Sequence, residues 1–211
     1  MRDMLEELAA AHRAVGRRAG QDGEVVAVQL RRTYDAEPAD VWDAVTDPDR
    51  LARWFSPVSG ELRLGGTFQV EGNAAGEVLQ CAPPEHFRVT WGGPTSLVDV
   101  RLTADGGGTV VELEHSVPVE IAQSGAGALF VGPGWDVAVL ALGLFLRGEV
   151  VGDPAVWESS PEVQRYSAEV IDAWSEVALA SGTTTADEVA MMAGMARAQF
   201  TPDLVEQSPV D

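Results

Sequence analysis

Besides its carboxylates, the chain has little with which to do chemistry: three His, one Cys and 14 basic residues, all of them Arg. The absence of Lys rules out a Schiff-base amine, a phosphate-loop lysine and a lysine general base. His115 is the most informative polar residue. It falls on the alternation Val111, Leu113, His115, so it shares a face with apolar neighbours. A buried imidazole needs partners: it either anchors the polar end of a ligand, acts as acid/base, or bonds to a neighbouring strand at the rim of a sheet. Arg32 has the parity of Val28 and Leu30 and could bind a carboxylate from an inward position, although its place near a strand end favours solvent. Cys81, in the apolar stretch Val78 to Ala82, reads as a small buried hydrophobe rather than a reactive thiol.

Other arrangements are missing. A single cysteine cannot pair within the chain, and His12, His86 and His115 are scattered, which argues against structural zinc. Gly-x-Ser-x-Gly is absent, Ser124-Gly125 has no nearby His, and Gly125-Ala126-Gly127 lacks the strand–turn–helix setting of a dinucleotide site. The carboxylates are dispersed, with Asp99 and Glu112 on the parity that reads as solvent-facing. No metal and no cofactor are expected. With 33 acidic residues and a net charge of -19, the chain lacks the basic face that nucleic acid or an anionic membrane surface requires. No apolar core follows Met1, and the longest apolar run, Val137 to Leu146, is interrupted by Gly143 and too short to cross a bilayer. A cytoplasmic protein is expected.

The elements that must position these residues follow from periodicity. Residues 3–19 carry Met4, Leu5, Leu8, Ala11, His12 and Val15 at helical spacing, which predicts an amphipathic N-terminal helix. Val26, Val28 and Leu30 alternate with polar neighbours over 24–34, predicting a half-buried strand. Pro38 and Pro48 each suit the first turn of a helix, with stripes Val41, Trp42, Val45 and Leu51, Trp54, Phe55. After Pro57 the period becomes two and stays so through Val117. Strands are predicted over 61–64, 67–71, 76–82, 87–91, 97–103 and 111–115, an antiparallel meander. Trp135 to Arg147 then returns to helical spacing with a wide apolar face. Beyond it, residues 161–181 and 186–199 predict two amphipathic helices, the second opening with Thr185 and Glu188 as a capping box. Residues 203–211 read as a frayed end.

This order resembles the helix-grip, or START-like, superfamily. Within it the chain looks like the branch named for the activator of heat-shock protein 90 ATPase homologues. The likeness is carried by residues 34–48, 51–57, 64–68, 83–92, 102–109, 113–115 and 134–135, and covers about 24–148. It implies an α+β fold in which a curved antiparallel sheet wraps around a long C-terminal helix. Residues 1–23 form an N-terminal helical appendage, 24–148 the START-like domain, and 149–211 an acidic helical extension holding 12 acidic residues and 2 Arg. The resemblance further implies a cavity between sheet and helix that grips apolar or aromatic molecules.

Parity then places Phe68, Val70, Phe87, Val89, Trp91 and Val100 on the concave face, with His115 beyond them. Trp135, Val139 and Leu142 face them from the helix, while Trp54 and Phe55 close one end. These residues either fill a packed core or line a pocket of at least a few hundred Å3. The leading expectation is binding of a small hydrophobic or aromatic molecule. An aromatase/cyclase-like or hydrolase-like enzyme using His115 in the same cavity is the alternative. A chaperone-regulating interaction module is the third reading, weakened by the lack of a basic docking face. The C-terminal helices would bury their stripes within the chain or in a homodimer contact.

Overall fold

A computed structural model describes residues 4–21, 23–149 and 152–206. A short helix α1 (Met4–Ala9) leads into strands β1 (Ala11–Ala19) and β2 (Glu24–Tyr34), then helices α2 (Pro38–Thr46) and α3 (Pro48–Leu51). Six strands follow: β3 (Val58–Gly60), β4 (Thr67–Val70), β5 (Ala75–Ala82), β6 (His86–Thr90), β7 (Leu97–Asp105) and β8 (Gly108–Pro118). A short helix α4 (Val119–Ala122) and a 3-10 turn (Gly125–Gly127) precede the long helix α5 (Ala128–Leu146). The chain continues with α6 (Pro154–Glu158), α7 (Pro161–Ala180), α8 (Ala186–Phe200) and α9 (Pro202–Glu206). The strands form one antiparallel sheet in the order β1-β2-β8-β7-β6-β5-β4-β3. The connection through α2 and α3 therefore spans the sheet from β2 to its far edge. This is the helix-grip architecture, with additional helices at both termini.

The N-terminal segment departs from its predicted form. Helix covers only Met4–Ala9, and Ala11–Ala19 is a strand in full register with β2. The apolar spacing over 3–19 is compatible with a helix in isolation, but β2 has an unpaired backbone edge, and pairing it satisfies donors and acceptors along nine residues. Asp3, where that helix was expected to begin, and 207–211, the last of the expected frayed end, lie outside the described residues. The predicted strand over 61–64 is replaced by Val58–Gly60, paired with β4, and a turn. Helix α3 stops at Leu51, so Trp54 and Phe55 sit on the turn after it.

Helix α5 starts earlier than predicted and passes through Pro133 without ending. With the preceding turn it forms a longer apolar stretch than the run 137–146, Gly125–Leu146, which reaches membrane-crossing length and composition as a buried core helix also can. Its surroundings explain that composition. It packs against β2 on one side and against α7 and α8 on another, so most of its circumference meets apolar partners, Phe130 being the exception. Close approach to α7 occurs at Gly132, where a Cβ would lie 2.7 Å from the Trp174 indole. Helix α7 buries Val163, Tyr166, Val170, Ile171, Trp174 and Ala178, and α8 buries Val189, Ala193 and Ala196. The C-terminal helices thus bury most of their apolar stripes inside the chain, while Met195 of α8 stays exposed.

Two buried ion clusters join the terminal segments to the core. Arg13 of β1 donates to Asp136 of α5 through Nε at 2.9 Å and Nη2 at 2.5 Å; Trp174 Nε1 donates to the same carboxylate at 2.7 Å. Burial raises the Asp136 pKa, while the Arg13 and Trp174 bonds oppose that rise. Glu7 of α1 accepts from Arg32 of β2 and, at 3.0 Å, from Arg147. Arg32 is therefore buried, not solvated as its strand-end position suggested: α1 covers that end and supplies the carboxylate. Its guanidinium also lies 5.3 Å from the centre of the Tyr34 ring. Asp99 is likewise buried on the outer face, contrary to expectation, because Arg88, Arg101 and His86 close around it at 2.7, 3.1 and 3.1 Å.

Candidate functional site

The concave side of the sheet and α5 enclose a cavity of about 310 Å3. Register explains its floor. Antiparallel partners point to the same face, so Val89 with Val98, Phe87 with Val100, and Val100 with Leu113 form rows across β6, β7 and β8. Phe68 and Val70 of β4 extend the floor, and Gly76 of β5 leaves room for Phe68, whose ring would be 2.7 Å from a Cβ there. Trp135, Ala138, Val139 and Leu142 of α5 form the roof. Trp42, Val45 and Thr46 of α2, with Leu51, Trp54 and Phe55, close one end. Trp54 is held by its indole N–H donating to the Ala44 carbonyl at 3.0 Å.

Every candidate residue identified in the sequence lines this cavity except His115. The imidazole has the predicted parity and is buried, but the Trp135 side chain stands between it and the space. Trp135 Nε1 donates to His115 Nδ1 at 3.0 Å. Since an indole can only donate, Nδ1 carries no proton; Nε2 then carries it and donates to Ser96 Oγ at 2.8 Å. Both ring nitrogens are engaged, and burial lowers the pKa to about 4, so the ring is neutral at pH 7. As it stands, His115 is a bracket for Trp135 and not a polar contact for a ligand.

Among the described residues no charged side chain lines the cavity. Its polar side chains other than indoles are Thr46, whose hydroxyl already donates to the Trp42 carbonyl at 2.7 Å, and Cys81. Cys81 is exposed at the cavity margin, not buried as predicted. The pairing of β5 with β6 shifts between Val78 and Gln80, and this irregularity returns the alternation so that Val78 and Cys81 both reach the cavity. Sequence reasoning also missed Trp42, Leu51, Val58 and Leu62 as lining residues. Trp42 was visible in an apolar helical stripe, but nothing local shows which surface such a stripe will meet. Aromatic contacts stiffen the walls: Trp42 meets Phe87 edge-on at 5.9 Å, and Trp91 lies 5.1 Å from Trp135. Among the described residues no group of three His, Cys, Asp or Glu could hold a metal ion.

Comparison with known proteins adds kinship. Residues 35–142 match the family model for activator of Hsp90 ATPase homolog 1-like protein. The chain is similar to CalU16 from Micromonospora echinospora at 39% sequence identity. Against its crystal structure the TM-score is 0.66, with 80% of this chain and 98% of that one covered; against its solution structure it is 0.69, with 82% and 97% covered. A conserved protein of unknown function, EF2215 from Enterococcus faecalis, shares the fold at 14% identity and a TM-score of 0.60, covering 82% of this chain and 95% of its own. A search of curated protein sequences finds no match.

Proposed function

Since this chain belongs to the activator of Hsp90 ATPase homolog 1-like family, we propose that it binds a small, uncharged hydrophobic or aromatic molecule between the sheet and α5. The observation carrying this reading is the cavity itself: about 310 Å3 of space walled by aliphatic and aromatic side chains, with no charged group among the described residues of its lining. That volume lies at the small end of the range for ligand pockets. An ionised ligand would be stripped of water there without a counter-charge, which disfavours acids and amines in this space. The ring faces of Trp42, Phe87, Trp91 and Trp135 suit a flat apolar body. Acid/base chemistry by His115 finds no support, since both nitrogens are bonded and the ring does not reach the cavity. A homodimer contact through the C-terminal helices would have to use what they leave exposed, Leu179, Met191 and Met195.

Native mass spectrometry of freshly purified protein tests the reading directly. A reproducible co-purified mass is expected, and the same spectrum reports the oligomeric state. A fluorescence titration with neutral N-phenyl-1-naphthylamine complements it. Val100→Trp, which fills the floor of the cavity, should weaken that probe at least tenfold while the far-UV circular dichroism stays unchanged. Equal affinity in the folded variant would refute binding in this cavity.

A further inference from the structure

Behind the aromatic wall lies a second opening of about 230 Å3, and its chemistry differs from that of the inner cavity. It is bounded by α5, α6, the end of α8 and the turn after α3. Phe130 and Trp135 of α5, Trp157 of α6 and Phe200 of α8 surround it, and Trp54 and Trp91 separate it from the inner space. Phe130 is 55% exposed and leaves its ring open to solvent. Among the described residues one lining residue is charged, Glu158 at the C-terminal end of α6. No hydrogen bond or ion pair engages its carboxylate among the described residues. Although Glu158 stands at the margin, desolvation raises its pKa. Among the described residues no Arg or His lines the opening.

The geometry points to this outer opening as a binding site for an organic ammonium group, a protonated or quaternary amine carried on an apolar body. Aromatic faces present negative potential, and a cation within about 6 Å of a ring centre is attracted to it. A single unpaired carboxylate beside those faces completes the complement of a positive charge. An anion would meet Glu158 with no opposing cation in the lining. A neutral apolar group would desolvate Glu158 further without compensation. The net charge of -19 also concentrates cations around the molecule. Two of the four surrounding elements, α6 and α8, come from beyond residues 35–142, the span matched by the family model. The C-terminal extension therefore completes this site, while Trp54, Phe55, Trp91 and Trp135 form a wall shared with the inner cavity.

The test uses benzyltrimethylammonium, with benzyl alcohol as the neutral comparator and phenylacetate as the anionic one. Each is titrated into the full chain and read from the tryptophan indole N–H signals in 1H–15N spectra, assigned by single Trp→Phe variants. The expected result is a saturable shift of the Trp157 signal with the ammonium probe. Binding of benzyl alcohol should be at least fivefold weaker, and phenylacetate should give no shift. Glu158→Gln, at an exposed position that leaves the fold intact, should weaken the ammonium probe about threefold. Trp157→Ala should weaken it by a similar factor, read from the remaining indoles. Val100→Trp, which fills the inner cavity, should leave it unchanged. Equal affinity for benzyl alcohol, indifference to Glu158→Gln, or shifts centred on Trp42, which lines the inner cavity alone, would each overturn the assignment.

Discussion

His115 links the stability of the fold to pH in a way that can be calculated. The ring is 2% exposed, accepts from Trp135 and donates to Ser96, and its pKa falls from 6.5 to about 4 through burial. In the unfolded chain it takes up a proton near pH 6.5; in the folded chain it resists until about pH 4. Between these values the unfolded state binds more protons, so stability falls as pH falls. The contribution is intact above pH 6.5 and is lost on acidification toward pH 4. Integrating between pH 7 and pH 4.5 gives a loss of about 2.5 kcal/mol from this group. His115→Gln lacks the titration but still offers an amide oxygen to the Trp135 N–H. At pH 7 the variant should be less stable by about 1 kcal/mol, the scale of one impaired buried hydrogen bond. At pH 4.5 the order should reverse, because the wild type alone must deprotonate an imidazolium in order to fold. Urea unfolding of both proteins at the two pH values measures the difference directly, and carboxylates common to both cancel. Parallel loss of stability in wild type and variant would refute the picture of a neutral ring held between Trp135 and Ser96.

Three further expectations concern the parts that frame the site. Asp136→Asn leaves the Arg13 guanidinium, 7% exposed at its side chain, opposite a neutral amide; a loss of about 3–5 kcal/mol is expected, which thermal unfolding should register as a Tm lowered by roughly 10 °C, and a shift below about 2 °C would contradict the buried pair. Cys81 should react with N-ethylmaleimide in the folded protein, because its side chain is exposed at the cavity margin; mass spectrometry should show complete single alkylation, and the alkylated protein should bind N-phenyl-1-naphthylamine more weakly, whereas protection until unfolding would contradict that exposure. Thr185→Ala removes the hydroxyl that caps α8 and should cost about 1 kcal/mol in urea unfolding; an unchanged midpoint would mean that the capping box contributes nothing to the native state.

Much of the architecture was legible because it rests on local rules. The alternation of Val98, Val100 and Leu102 against Asp99 and Arg101 specifies a strand with one apolar face wherever that strand lies. Pro38, Pro48 and Pro161 mark helix starts through their fixed φ and missing N–H. Thr185 with Glu188 announces a helix start through two reciprocal hydrogen bonds. The concave face could therefore be assembled from parity, and all of its candidates except His115 do border the cavity.

What remained hidden depends on partners distant in sequence. Whether Ala11–Ala19 becomes helix or strand is decided by the free edge of β2, which only the assembled sheet presents. Arg32 is buried because Glu7, 25 residues earlier, folds over it, and Arg13 finds Asp136 across 123 residues. His115 has the right parity for a ligand contact, yet Trp135 from α5 lies in front of it and takes one nitrogen. The irregular register in β5 brings Cys81 to the cavity, a change of phase that composition does not reveal. The sequence by itself determined periodicity, and with it which faces are apolar, because that information lies in residues a few positions apart. Only the tertiary structure decided which faces meet, how much space they leave, and which charges end up paired, because packing and desolvation act between segments the chain brings together from far apart.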